Sequence, residues 1–202
     1  MIVEMRTYLL SPGSVPEAEA RFERHLPNRT PLSPLGGLWH AATGDLHTLI
    51  HLWPYETLDQ RTAIRAQMMQ PPKWPPPLRE FLREMKSQVF LPAPFSPALA
   101  PARHGRLYEF CIDSFLPGGP AETAAAWAPH VEARARLSPL VFAGHSELGE
   151  LNQWLHIWAY RDAAHRDEVH AALDGRWPPP ASDKLLKQHS VLAVPASCSP
   201  LA

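Results

Sequence analysis

Glu4 and Glu109 are acids set inside apolar runs, Val3-Glu4-Met5 and Tyr108-Glu109-Phe110. Each is followed, at one constant separation, by a histidine beside tryptophan: His51 with Trp53, and His156 with Trp154 and Trp158. A carboxylate in apolar surroundings can serve as a general base with a raised pKa, and an adjacent imidazole can orient it or relay its proton. The plainer alternative is a carboxylate paired with a nearby His or Arg to hold the fold, and the recurrence of the pattern favours it. Glu4, His51, Glu109 and His156 are therefore the candidate catalytic residues. Arg6, Tyr8, His40, Trp53, His145, Trp154 and Trp158 are the ligand-binding candidates, the indoles with Leu49 offering walls for a flat organic molecule. The simpler alternative for these rings is core packing. Arg61 and Arg166 read as helix-surface pairing partners, and His25 and His130 fall on helices.

A metal site is not expected. His47 and His51 lie on one strand, about 13 Å apart at about 3.3 Å per residue, too far to share an ion. No glycine-rich phosphate loop or nucleophile motif occurs. The composition, 45% hydrophobic and 19% charged with a net charge of −1, is that of a globular chain without a nucleic-acid footprint. No apolar run approaches the roughly 18 residues of a membrane span, and the opening residues do not resemble a signal peptide. Cys111 and Cys198 do not occupy matching positions, so free thiols in a cytoplasmic setting are expected.

What must position these groups is a duplicated unit. An offset of 105 residues places Glu4 on Glu109, Pro12-Gly13 on Pro117-Gly118, His40 on His145, His51 on His156, Trp53 on Trp158, Tyr55 on Tyr160 and Arg61 on Arg166. With an offset of 103, Trp74-Pro75-Pro76-Pro77 meets Trp177-Pro178-Pro179-Pro180. So many rare residues at a fixed spacing identify a repeat, with one unit over 1–98 and the other over 105–202. Alternation predicts strands at 2–10 and 107–115, 37–43 and 142–148, 46–53 and 151–158, and closing strands near 88–91 and 190–194. Helical spacing predicts helices at 16–30 and 120–137, at 56–69 and 161–173, and shorter ones at 78–86 and 181–187. Each unit is then βαββαβ, a ferredoxin-like α+β fold, and residues 92–104 read as a Pro/Ala-rich linker.

A four-stranded sheet with helices on one face leaves the other bare, so the units should pack sheet to sheet around a shared cavity. Val3, Met5 and Leu9 are expected to face the helices. Glu4, Arg6, Tyr8, His51, Trp53, His156 and Trp158 are expected to face the cavity, with Glu4 meeting His51 and Glu109 meeting His156.

The opening Val3-Glu4-Met5-Arg6-Thr7-Tyr8 with Pro12-Gly13 resembles the start of a NIPSNAP domain. So do Leu46 through Tyr55, Asp59-Gln60-Arg61 and Lys73-Trp74, and in the second copy Glu109, Pro117-Gly118, residues 149–153, His156 through Tyr160, Asp162, Arg166 and Trp177. The resemblance implies two ferredoxin-like units closed into a dimeric α/β barrel within one chain. The second copy departs from it, with Cys111 and Asp113 where the first has Arg6 and Tyr8. Three functions stay open: binding a small aromatic or apolar ligand without catalysis and without a cofactor; a cofactor-independent monooxygenase- or cyclase-like enzyme; and a haem protein with His51 or His156 as axial ligand. Pairing between chains, as a homodimer, is the alternative to pairing within one.

Overall fold

The computed structural model describes residues 1–68, 74–173, 177–178 and 183–202. The first half runs β1 (Ile2–Leu10), α1 (Val15–Arg29), β2 (Gly37–Ala41), β3 (Thr48–Tyr55), α2 (Leu58–Met68) and β4 (Leu82–Pro92). The second runs β5 (Leu107–Phe115), α3 (Gly119–Trp127), α4 (Val131–Ala135), β6 (Leu140–Leu148), β7 (Gln153–Tyr160), α5 (Ala163–Leu173) and β8 (Leu185–Pro195). The strands close into one antiparallel barrel, in the order β1-β3-β2-β8-β5-β7-β6-β4. Each half contributes four neighbouring strands, and the seams repeat one another. His40 pairs Val194 across β2–β8 while Leu91 pairs His145 across β4–β6. Two tandem ferredoxin-like units thus form a dimeric α/β barrel inside a single chain.

Four expectations about local structure change. Residues 78–86 do not form a helix: a turn ends at Phe81 and β4 begins at Leu82. Leu82-Arg83-Glu84-Met85-Lys86 is built of good helix formers, but the ladder to β1, from Val3↔Phe90 to Leu10↔Leu82, claims its backbone. The matching expectation over 181–187 falls partly outside the described residues, and β8 starts at Leu185. The helix expected over 120–137 is broken into α3 and α4. β3 and β7 start two residues late because His47 and Asn152 adopt φ of 64° and 56° in the preceding turns, a conformation that ends a strand ladder.

The facing assignment is reversed. Val3, Met5, Ile50 and Leu52 pack inside the barrel with Phe90, Tyr108 and Phe110. Tyr8, Leu49 and Trp53 belong to the outer core beneath α1 and α2, with Phe22 and Ile64. The same holds for Trp154 and Trp158 under the helices of the second half. A closed barrel buries both faces of its sheet, so apolar and ionisable sets alternate without telling which is roofed by helices. The inner face took an apolar set with aromatic rings of its own, and the outer face took the ionisable groups with the remaining aromatics.

Inside the barrel, room for one aromatic ring is made by glycine two residues away on the same face. A Cβ on Gly37 would lie 1.9 Å from the Trp39 ring, and one on Gly144 would lie 2.9 Å from the Phe142 ring. The two halves use the pair in opposite order. Trp39 itself is fully buried against Tyr108 and Phe110, at ring separations of 5.3 and 5.2 Å. Gly37→Ala should therefore overpack the barrel and destabilise the protein by about 1–3 kcal/mol. Chemical denaturation measures this, and an unchanged stability would contradict the packing described.

Candidate functional site

The carboxylate of Glu4, 1% exposed, stands on the outer face of β1. It accepts hydrogen bonds from Arg61 Nη2 on α2 (2.7 Å), Ser87 Oγ on β4 (2.6 Å), Arg6 Nη1 (3.1 Å) and the Tyr55 hydroxyl (3.3 Å). Arg29 on α1 donates to that hydroxyl at 2.9 Å and stacks over Trp53 at 4.3 Å. The second half repeats the cluster. Glu109 accepts from Arg166 Nη2 (2.6 Å), Ser190 Oγ (3.0 Å) and the Tyr160 hydroxyl (3.1 Å), and Arg134 holds Tyr160 while stacking over Trp158 at 3.9 Å. Burial alone would raise both acids. The hydrogen bonds from Arg61 and Ser87, with the charge of Arg6, overcome it for Glu4, as Arg166 and Ser190 do for Glu109, and each carboxyl is held at about 2. At neutral pH these acids are ionised and fully engaged, so neither is poised to abstract a proton.

The expected acid–histidine pairs do not form. The register sets Glu4 opposite Trp53 and Arg6 opposite His51, and likewise Glu109 opposite Trp158 and Cys111 opposite His156. Glu109 meets His170 Nε2 on α5 instead, at 3.2 Å. Arg61 and Arg166, expected at the helix surface, are the arms that reach from α2 and α5 to the buried acids. Their matched positions were visible in the sequence, but not that they point inward. Arg29 with Arg134, and Tyr55 with Tyr160, complete the clusters at further matched positions that the search for acids and histidines passed over.

Each histidine takes an indole N–H on Nδ1: Trp53 to His51 at 2.6 Å and Trp158 to His156 at 3.0 Å. Because indole nitrogen only donates, Nδ1 is the acceptor in each ring and Nε2 carries the proton. Burial first, then the charge of Arg6, pushes His51 down to about 3, so it stays neutral. Its Nε2 is buried and has no hydrogen-bond partner among the described residues. The Tyr8 ring stands edge-on to it at 4.7 Å and Phe22 at 5.2 Å. At His156, burial is opposed by Cys111 and Asp113, which push that ring up instead.

Glu4, Arg6, Tyr8, His51 and Trp53 line one pocket of about 480 Å³, on the outer face rather than in the barrel. Arg29, Tyr55, Arg65 and the segment from Trp74 to Arg79 complete its wall. A separate cavity of about 320 Å³ opens at the barrel mouth between Met5, Thr7, Ile50, Phe110 and Ile112, with Glu84, Lys86 and Lys187 among its lining. None of the expected site residues lines it. His40 lies apart, paired with Glu19 of α1 at 2.8 Å. His145 is half-buried at the β4–β6 seam, and Trp154 is core, 5.6 Å from the Trp127 ring.

The family model described as NIPSNAP matches residues 3–97 and again residues 108–200. Human Protein NipSnap homolog 3A is 29% identical over 98% of this chain and 85% of its own length. Mouse Protein NipSnap homolog 3B is 28% identical with the same coverage. A solved structure described as a candidate monooxygenase from Lactobacillus acidophilus superposes with a TM-score of 0.68, over 97% of this chain and 94% of that one, at 10% identity. That likeness is one of fold.

The clusters generate a stability prediction. Both carboxyls lie below their unfolded value, so their contribution is complete above about pH 5 and is lost as pH falls towards 2. Glu4→Gln leaves Arg61 and Arg6 without their counter-charge and should cost about 3–5 kcal/mol at pH 7. Urea unfolding of Glu4→Gln and Glu109→Gln measures this, and a loss below about 1 kcal/mol in both would show the clusters to be dispensable.

Proposed function

This chain belongs to the NIPSNAP family, and on that premise we propose that its first half binds a small, flat organic molecule on the outer face of the sheet, without transforming it. The observation that carries this reading is the buried Nε2–H of His51, which has no partner among the described residues and belongs to the wall of the 480 Å³ pocket. A donor left unmatched in a buried site costs about 1–3 kcal/mol, and a ligand acceptor would recover it. Trp53 and Trp74, whose rings stand 5.7 Å apart at 79°, with Tyr8 and Met68, supply the apolar surface such a molecule needs. The barrel-mouth cavity offers a weaker case, since its Glu84 and Lys86 are exposed and already pair at 3.1 Å.

Binding is favoured over catalysis by the state of the ionisable groups. A cofactor-independent oxygenation or cyclisation needs a base, yet Glu4 is spent on four hydrogen bonds and the Nδ1 lone pair of His51 is occupied by Trp53. Haem fits no better. An axial imidazole presents a bare Nε2 to iron, whereas the indole bonds leave the proton on Nε2 of both His51 and His156.

Quenching of tryptophan fluorescence by flat bicyclic aromatics tests the assignment. Trp74→Ala should weaken the best of them by about tenfold or more, while Lys86→Ala at the barrel mouth should leave it unchanged. The reverse pattern would move the site into the barrel.

A further inference from the structure

The two halves match in their clamps and differ in what stands beside the histidine. Arg6 and Tyr8 of β1 correspond to Cys111 and Asp113 of β5, and the strand registers place each pair identically: Arg6 and Cys111 face the histidine, Tyr8 faces Leu49 and Asp113 faces Trp154. In the second half Asp113 Oδ2 lies 3.6 Å from His156 Nε2, the same ring nitrogen that has no partner in the first. Gln188 Nε2 donates to the other carboxylate oxygen at 3.1 Å. Trp127 takes the place of Phe22, packing on His156 at 4.9 Å and on Trp177 at 4.5 Å, where Phe22 stays 5.7 Å from Trp74. The second half places a carboxylate and an indole of its own beside the histidine.

The charge around the two histidines differs in the same sense. Near Glu4 stand Arg6, Arg61, Arg65 at 3.9 Å and, through Tyr55, Arg29. Near Glu109 and Asp113 stand Arg166 and, through Tyr160, Arg134, with His170 at the position matching Arg65. The first half therefore keeps guanidinium groups in excess of carboxylates around a pocket with apolar walls, which favours an anion. Among the described residues of the second half, Asp113 adds a carboxylate where the first half has none.

Building on the binding function proposed above, we infer that the first-half pocket takes an organic carboxylate whose charged group meets the His51 Nε2–H and the Arg6 guanidinium, as Asp113 meets His156, with its flat apolar body against Trp53 and Trp74. The Tyr8 ring packs on the His51 ring at 4.7 Å, its hydroxyl accepting from Arg6 Nε at 3.0 Å, and it turns aside to admit the carboxylate. Asp113 acts as a built-in surrogate for that ligand.

Calorimetric titration of the full-length protein with 2-naphthoate and with its uncharged methyl ester tests this. The acid should bind about tenfold or more tightly than the ester, both to the unaltered protein and to Tyr8→Ala. Tyr8→Asp, which gives the first half the carboxylate of the second, should abolish the acid's advantage. Equal binding of acid and ester to the unaltered protein overturns the carboxylate assignment and leaves the binding function standing. Failure of both compounds to bind overturns the two together. Should Tyr8→Asp not fold, the acid–ester pair on the unaltered protein decides.

Discussion

A carboxylate placed on a sheet and roofed by helices must be neutralised where it stands, and the rest of this molecule is arranged around that requirement. Glu4 and Glu109 are almost wholly buried, and an unpaired charge there would cost several kcal/mol. Arg61 and Arg166 meet the demand from α2 and α5, Ser87 and Ser190 from the last strand of each half, and Tyr55 and Tyr160 from the third. One anion thereby ties a helix and three strands together in each unit. Arg29 of α1 and Arg134 of α4 reach the same clusters through the tyrosines and cover the tryptophans. The clamp fixes the outer layer, and the apolar lining of the barrel fixes the inner one.

Duplication under that constraint explains where the halves could diverge. The clamp residues recur because each unit needs its own, while Arg6, Tyr8 and Phe22, at the edge of the clamp, have Cys111, Asp113 and Trp127 as counterparts. Those three exchanges alter volume and charge beside a histidine whose own tautomer stays fixed by an indole. The outcome is one half with a lined pocket and surplus positive charge, and one half in which Asp113 and Trp127 stand against the histidine instead.

Much of this was legible in the sequence because a repeat reports everything twice. The limits of β1 and β5 and the ferredoxin-like order followed from alternation and offset, whereas the barrel came from the family resemblance and pairing within one chain stayed open. Glu4, Arg6, Tyr8, His51 and Trp53 were singled out together and do line one pocket. Which side of the sheet they occupy was not legible, since both sides are buried and alternation is blind to what covers each. The register was hidden too: only the ladder shows that Arg6, not Glu4, faces His51. β4 escaped because its first residues are helix formers with both faces exposed, so neither propensity nor burial marked a strand.

The central claim is a single, asymmetric site on the outer face of the first half. A crystal of the protein with a bromine-substituted naphthoate, measured at the bromine absorption edge, tests it most directly. One anomalous peak is expected near Trp53 and Trp74, with the carboxylate at His51 Nε2 and Arg6, and no peak beside Trp127 and His156. Equal peaks in both halves, or a peak confined to the barrel mouth between Met5 and Phe110, would contradict it.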